Sequence, residues 1–473
     1  MLEYKKTIGI EVHAELKSNT KMFSSSENSY GIKANNNISL IDLAYPGVLP
    51  SVNKKAIDLA IKAAKVLNCS INRLMHFDRK NYFYPDLPKG FQITQARTPI
   101  GVNGYVEIEV NNEKKKVRIH DIHIEEDTAK SIHYNNHSLL DFNRAGVPLI
   151  EIVTEPDMNS EEEAMLYLEK LRELLLYADV SDCKMEEGSM RCDVNVSISK
   201  TEALGTRTEI KNIGSIRNVG LAITAESKRQ QMLLENNETI KEETRRFDEK
   251  MNQTVLMRVK ETGNDYRYFP EPDIPFIYLT DEDINQAIKS IPILPDERRK
   301  IYQEKGITLL NSNKLIQNRQ ISDYLNKYLD KNINMVILSN LLLGDISSYL
   351  NKTGKKLSDT KLNEEKMISF VNKLDKKELT SKMGKELIEN LLEEDKSVDE
   401  LIKEKGFSNI LSNDELKTII ELVIKQNTES VNDYKNGNSR AIKFLMGQVM
   451  KESKGSANPI DAMKILESEL AKQ

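Results

Sequence analysis

The stretch "IGIEVHAEL" at residues 8–16 puts Ile8, Ile10, Val12 and Ala14 at alternate positions, with Glu11, His13 and Glu15 between them. Alternate side chains of a strand share a face, so one side of this ribbon holds an imidazole between two carboxylates. Three more stretches repeat that texture. In "HDIHIEEDTAK" the parity of Asp121 carries His123, Glu125 and Asp127. "MRCDVNVSIS" sets Arg191, Asp193, Asn195 and Ser197 against Cys192, Val194, Val196 and Ile198. "TRTEIKN" aligns Arg207, Glu209 and Lys211. One such strand is ordinary, because a half-buried antiparallel sheet turns a charged face to water. As a group they are rich in Asp, Glu, His, Asn and Arg rather than in long solvating side chains. If these strands are neighbours, their carboxylates converge and need a cation, or they protonate. Oxygen ligands with one imidazole suit Mg²⁺ or Mn²⁺. Arg191, Arg207 and Lys211 would then face phosphate oxygens. That describes ATP-dependent phosphoryl transfer without a P-loop, since neither GxxxxGK[ST] nor GxGxxG occurs in the chain.

Two other stretches carry candidate chemistry. "FDRKNYFYPDLPKGFQITQ" (77–95) interleaves Arg79, Lys80 and Lys89 with Phe77, Tyr82, Phe83, Tyr84 and Phe91, and reads as an aromatic core edge or a site loop. "SRAIKFLMGQVMKESKGSANP" (439–459) reads as a helix capped by Ser439, with Ile442, Leu445, Met446 and Val449 as its buried stripe. Arg440, Lys443, Lys451 and Lys454 remain outside, either solvated or in contact with nucleic acid.

The chain that must position these residues has 473 of them, enough for two or three domains. With 30% charged and 39% hydrophobic residues it has a globular balance. No apolar run approaches the ~18 residues of a membrane span. The opening "MLEYKKTIGIEVHAEL" has no apolar leader core, so the expectation is a cytoplasmic protein without a membrane partner. Three scattered cysteines, Cys69, Cys183 and Cys192, argue against a disulfide framework or a thiolate metal site. A net charge of −5 leaves nucleic-acid binding to local basic patches.

Short alternating runs fill the first ~290 residues, interrupted by helical patterns at 52–67 and 160–178, the latter starting at Ser160. This mixture predicts an α+β domain around an antiparallel sheet over 1–291. From about Pro292 the pattern turns to helix–turn–helix, and a polar stretch at 406–413 suggests a further boundary. The expected division is therefore 1–291, an all-α region 292–405 and an all-α tail 406–473.

Long motifs occur in order along nearly the whole chain: "GIEVHAEL", "DRKNYFYPDLPKGFQITQ", "HIEEDTAKS", "NRAGVPLIEIVTEPD", "SDCKMEEGSMRCDVNVS", "DYRYFPEPDIP" and "FLMGQVMKESKGSANP". In these the chain resembles the B-subunit family of the bacterial aspartyl/glutamyl-tRNA(Asn/Gln) amidotransferases. The resemblance implies an N-terminal cradle domain that binds ATP and Mg²⁺, then a helical domain and a YqeY-like tail that hold tRNA. It implies phosphorylation of the side-chain carboxylate of Glu-tRNA(Gln) or Asp-tRNA(Asn), and displacement of the phosphate by ammonia channelled from an amidase A subunit. The family's small C subunit would complete a heterotrimer. Glu11, His13, Glu125, Asp193 and Glu209 match the family's metal-site positions. Glu126 is a further candidate there, with Arg191 and Lys211 for phosphate contact. Glu126, of opposite parity to Glu125, would line the ammonia route with Lys80 and Lys89. A non-catalytic tRNA-binding scaffold is the alternative; it would be expected to lose some of Glu11, His13, Asp193 and Glu209, and all are present.

One stretch departs from the family. Where many members carry four zinc-binding cysteines, this chain has Ser24, Ser26, Ser39 and Asp42. Three hydroxyls and a carboxylate do not make a tetrahedral zinc site. The expectation is no zinc, with hydrogen bonds or packing holding the loop.

Overall fold

The computed structural model describes residues 4–259, 266–407, 413–435, 438, 440–453, 457 and 459–472. The chain divides into two compact units, Met1–Pro295 and Asp296–Gln473. In the first, strands β1 (Lys5–Glu15), β2 (Ser70–Ile71), β3 (Gly101–Val110), β4 (Glu113–Glu126), β5 (Pro148–Thr154), β6 (Met190–Ser199), β7 (Thr208–Lys211), β8 (Glu243–Asp248) and β9 (Gln253–Val259) form one sheet. Its order is β9-β8-β7-β6-β1-β5-β4-β3-β2, so the N-terminal strand lies at the centre.

Alternation sets the two faces. Ile8, Ile10, Val12 and Ala14 are each at most 1% exposed. They join one core with Ile122, Ile124, Ile150, Ile152, Val194 and Val196 of the neighbouring strands. Helices α1 (Lys54–Val66), α2 (Glu161–Tyr177) and α3 (Ile216–Glu235) bring Ile61, Leu171 and Ile223 to that core. Each helix starts at a polar cap: the side chains of Asn53, Ser160 and Ser215 accept from the N–H groups of Ala56, Glu163 and Asn218. With one face of the central strands packed in this way, charged residues collect on the other.

Two irregularities adjust the sheet. Its strands pair antiparallel except β7 with β8, which run parallel because α3 forms the crossover between them. The sheet is thus mixed rather than purely antiparallel. The register of β4 on β5 also slips between Val153 and Thr154. That bulge lets Val117 and Ile119 reach the core as well as Ile122 and Ile124, although the two pairs differ in parity.

The loop after β1 closes on Asp42. Its carboxylate accepts from the hydroxyls of Ser24 at 2.9 Å and Ser26 at 3.0 Å, and from the Ser39 N–H at 2.8 Å. Lys21 Nζ lies 3.1 Å from it, with both side chains almost fully buried. Gly146 passes so close that a Cβ there would stand 2.9 Å from Asp42 Oδ1, and its φ of +82° itself favours glycine.

The second unit is helical. Four of its helices, Asn413–Gln426, Thr428–Lys435, Ala441–Glu452 and Pro459–Leu470, share a core that includes Leu416, Ile420, Val423, Val431, Leu445, Val449 and Leu466. Helix Ala441–Glu452 buries Ala441, Leu445, Met446 and Val449. Arg440, Lys443 and Lys451 are exposed. Lys454 and the expected cap Ser439 lie outside the described residues. Among the described residues no helix is long and apolar enough to cross a membrane.

The Lys21–Asp42 pair gives a stability test. Replacing Lys21 by Ala strands a buried carboxylate, and the first unit should lose about 3–5 kcal/mol. Urea unfolding followed by circular dichroism should show a lower midpoint. An unchanged midpoint would mean that the serine hydroxyls alone satisfy Asp42.

Candidate active site

Strand register, more than sequence proximity, assembles the site. On the face away from the helices, His13 stands opposite Arg191 of β6 on one side and Glu151 of β5 on the other. Glu151 in turn stands opposite His123 of β4. Four strands in register therefore set Arg191, His13, Glu151 and His123 in one row. The adjacent rows carry Glu11 opposite Asp193, and Leu149 between Glu15 and Glu125. Neighbouring strands lie only ~4.8 Å apart, so side chains in these rows touch.

The acidic residues fall into two groups. In the first, His13, Glu125 and Glu151 offer ligand atoms all within 4.8 Å of one another. His13 Nε2 is 3.6 Å from Glu125 and 3.5 Å from Glu151. His123 braces this group, with Nε2 3.0 Å from Glu151 and Nδ1 3.1 Å from Asp121. In the second, the ligand atoms of Glu11, Asp193 and Glu209 likewise lie within 4.8 Å of one another. Asn195 donates to Glu11 at 3.0 Å, and the Thr244 hydroxyl donates to Glu209 at 2.9 Å. Lys211 Nζ lies 2.5 Å from Asp193 and 3.1 Å from Glu209.

Charge on the first group is balanced unevenly. Burial alone would lower the His13 pKa, but its hydrogen bond to Glu151 and the charges of Glu151 and Glu125 push it up to about 8. His123 is likewise carried to about 10, by Asp121 and Glu151 against burial. Burial raises Glu125, and the Glu151 charge adds to it. Glu151 is held well below the usual carboxylate range, since the two imidazoles outweigh its burial. Burial also raises Glu11. Glu15 is pushed up to about 7, first by burial and then by the charge of Asp127.

A cavity of about 890 Å³ opens over this face. His13, Glu15, Glu125, Asp127 and Asp193 line it, together with the cations Lys80, Lys130, Arg144, Arg191 and Lys211. Arg191 lies 2.7 Å from Asp127, and Arg144 donates to the carbonyls of Thr128 and Ala129. Acid and base thus alternate along one wall. Hard oxygen ligands with an imidazole fit Mg²⁺ or Mn²⁺, and the surrounding cations fit phosphate oxygens.

Arg207, Lys89 and Glu126, singled out in the sequence, sit outside the cavity lining, while Lys80 is part of it. Arg207 precedes β7, is exposed, and pairs with Glu242 at 2.8 Å. It does not line the cavity, because the strand that would align it with Glu209 begins only at Thr208. Lys80 lines the cavity, with Nζ 4.9 Å from the centre of the Tyr266 ring. Lys89 and Glu126 pair with each other and do not line it; Glu126 also accepts from the Ile93 N–H at 2.9 Å. Opposite parity separates Glu126 from Glu125, and so from Lys80. Glu151 was not singled out by pattern, although it is the lone acid within the apolar strand "PLIEIVT". That isolation is the signal that could have marked it.

Two family models match the chain: "GatB/GatE catalytic domain" over residues 6–285 and "GatB domain" over 323–470. The chain is 45% identical, over the full length of both chains, to the aspartyl/glutamyl-tRNA(Asn/Gln) amidotransferase B subunit of Bacillus licheniformis. It is 46% identical, again over all of both chains, to the B subunit of Geobacillus thermodenitrificans. For the Staphylococcus haemolyticus protein of the same name the figure is 45% with the same full coverage. On these full-length likenesses the chain belongs to the family of aspartyl/glutamyl-tRNA(Asn/Gln) amidotransferase B subunits.

Proposed function

We propose that this chain is the ATP-dependent kinase and transamidase component of a tRNA-dependent amidotransferase, acting with an amidase A subunit and a small C subunit. The single observation that carries the reading is the pair of carboxylate groups on one sheet face, from which His13, Glu125 and Asp193 reach a cation-lined cavity. The side-chain carboxylate of Glu-tRNA(Gln) or Asp-tRNA(Asn) attacks the terminal phosphate of ATP, giving an acyl phosphate and ADP. Ammonia then displaces phosphate and leaves the amide. A carboxylate is a poor acyl donor, and the acyl phosphate provides the leaving group that it lacks.

His13, Glu125 and Glu151 would hold one divalent cation, and Glu11, Asp193 and Glu209 a second. Bound Mg²⁺ supplies charge neutralisation along the phosphates, which is most of what phosphoryl transfer requires. Asn195, Thr244 and His123 fix the ligand carboxylates in place. Arg191 and Lys211 stand where phosphate oxygens would be met. Lys80, which also lines the cavity and is kept protonated by Glu125 against its burial, stabilises developing negative charge. Lys89 and Glu126 form a buried ion pair beside the site, a polar lining suited to the ammonia route. Arg440, Lys443 and Lys451 offer a basic helix face for tRNA phosphates, and ATP with Mg²⁺ are the required cofactors. We also propose that the Asp42 loop holds no zinc, since Lys21 already supplies its cation.

Four outcomes follow from this reading. With its A and C partners the chain should convert Glu-tRNA(Gln) or Asp-tRNA(Asn) to the amide using ATP and glutamine. Asp193→Asn and Glu151→Gln should each keep tRNA binding while the ATP-dependent step falls about 100-fold or more. Full activity in either would support the scaffold alternative. Metal uptake should depend on pH in a definite direction. His13 carries a proton up to about pH 8, and a metal must displace it. Mn²⁺ affinity should therefore rise about tenfold per unit as pH climbs toward that value, then level off; a flat profile across the same range would remove His13 from the ligands. Elemental analysis should find no zinc at the Asp42 loop, and one bound equivalent there would overturn that assignment.

A further inference from the structure

The second carboxylate group already contains a cation. Lys211 Nζ sits 2.5 Å from Asp193 and 3.1 Å from Glu209, two of its three acids. The first group is balanced by imidazole instead of ammonium: His13 Nε2 lies 3.6 Å from Glu125 and 3.5 Å from Glu151, His123 Nε2 lies 3.0 Å from Glu151, and among the described residues no Lys or Arg nitrogen lies within 4.0 Å of either acid.

Two features make Lys211 a movable occupant. One of its two carboxylate partners is pinned independently of it. Thr244 holds the second oxygen of Glu209, and Asn195 holds Glu11, the third acid of the group, so these two keep their geometry if the ammonium leaves. Lys211 is also on a flexible four-carbon stem, its side chain is 31% exposed, and it lines the 890 Å³ cavity. A divalent ion placed among the three acids would stand within contact distance of the ammonium. Like-charge repulsion at that range sets the two against each other.

We propose that Lys211 is the built-in counter-ion of the second cation site and yields it to a divalent ion only when a phosphate-bearing nucleotide in the cavity takes its ammonium. The proposal rests on the metal and ATP reading above. It makes the two cation sites unequal: the first loads without nucleotide, while the second loads with it. Thermodynamic linkage then requires the second ion to tighten nucleotide binding by the same factor. Lys211 would thereby pass from carboxylate to phosphate in the loaded state, which joins metal loading to substrate binding.

The test is a Mn²⁺ titration of the full chain, read from the electron paramagnetic resonance of free Mn²⁺, with and without adenylyl imidodiphosphate. An Asp193→Asn chain run beside it subtracts Mn²⁺ carried by the nucleotide itself. Without nucleotide, the wild-type chain should bind one ion tightly and a second about tenfold or more weakly. Lys211→Met should tighten the second ion by a similar factor, and Lys211→Arg, which keeps the charge, should not. Adding the analogue should tighten the second ion in the wild type but not in Lys211→Met. Lys211→Gln serves if the Met variant is unstable. Two equal ions in the wild type without nucleotide, or no change in both Lys211→Met and Lys211→Gln, would overturn the proposal. If the wild type binds no Mn²⁺, or Glu151→Gln and Asp193→Asn both keep two ions, the metal reading fails and this proposal falls with it. Loss of one ion in Glu151→Gln with an unaltered Lys211→Met leaves the metal reading standing and overturns this proposal alone.

Discussion

Everything in the first unit is arranged around carboxylates crowded onto one face of one sheet. Two unit charges ~4 Å apart repel by about 4 kcal/mol at an effective dielectric of ~20. A whole domain is stable by only ~5–15 kcal/mol. Glu11, Glu125, Glu151, Asp193 and Glu209 could not share this face without compensating positive charge. The chain provides it in three forms: imidazolium at His13 and His123, ammonium at Lys211, and guanidinium at Arg191 and Arg144. Of these cations, His13, Lys211, Arg191 and Arg144 also face the cavity. A divalent ion and a chain of phosphates are natural partners for such a surface, because each replaces a charge that the protein already balances.

The helices follow from that constraint. A sheet with a charged face can be stable only if its other face is thoroughly dry. α1, α2 and α3 accomplish this by covering the central strands with aliphatic side chains. The bulge in β4 keeps Val117, Ile119, Ile122 and Ile124 all on the dry side. Without it, a strict period of two would turn two of these four residues toward the acids. The crossover through α3 makes β7 and β8 parallel and sets Thr244 beside Glu209. A departure from a simple antiparallel sheet thus contributes directly to holding one of the acids.

The Asp42 loop solves a related problem on a smaller scale. A buried carboxylate gathers hydroxyl and backbone donors and is neutralised by one lysine. Burial of that pair commits the loop to one conformation, because neither partner has another place to go. Gly146 permits the close approach, and it also belongs to the "NRAGVPLIEIV" stretch that leads into Glu151. The loop and the active face are thereby tied to one segment of chain.

Much of this was legible in the residues. Alternation in "IGIEVHAEL", "MRCDVNVSIS" and "HDIHIEEDTAK" determined which side chains share a face, since a strand has no other periodicity. The helices at 52–67 and 160–178 were marked by their helical patterns and, at Ser160, by a capping residue. Local pattern could not say which strand lies beside which. β1 pairs with β5 and β6, which begin more than 130 residues further along the chain. Only that pairing brings Glu151 to His13 and divides five expected ligands between two groups. Arg207 shows the opposite limit: period-two reasoning extended a strand by one residue too far, and tertiary pairing ended it at Thr208. The sequence by itself determined the faces, because side-chain direction is a local property. The tertiary structure decided the neighbours, because hydrogen-bonded register joins residues that the chain keeps far apart.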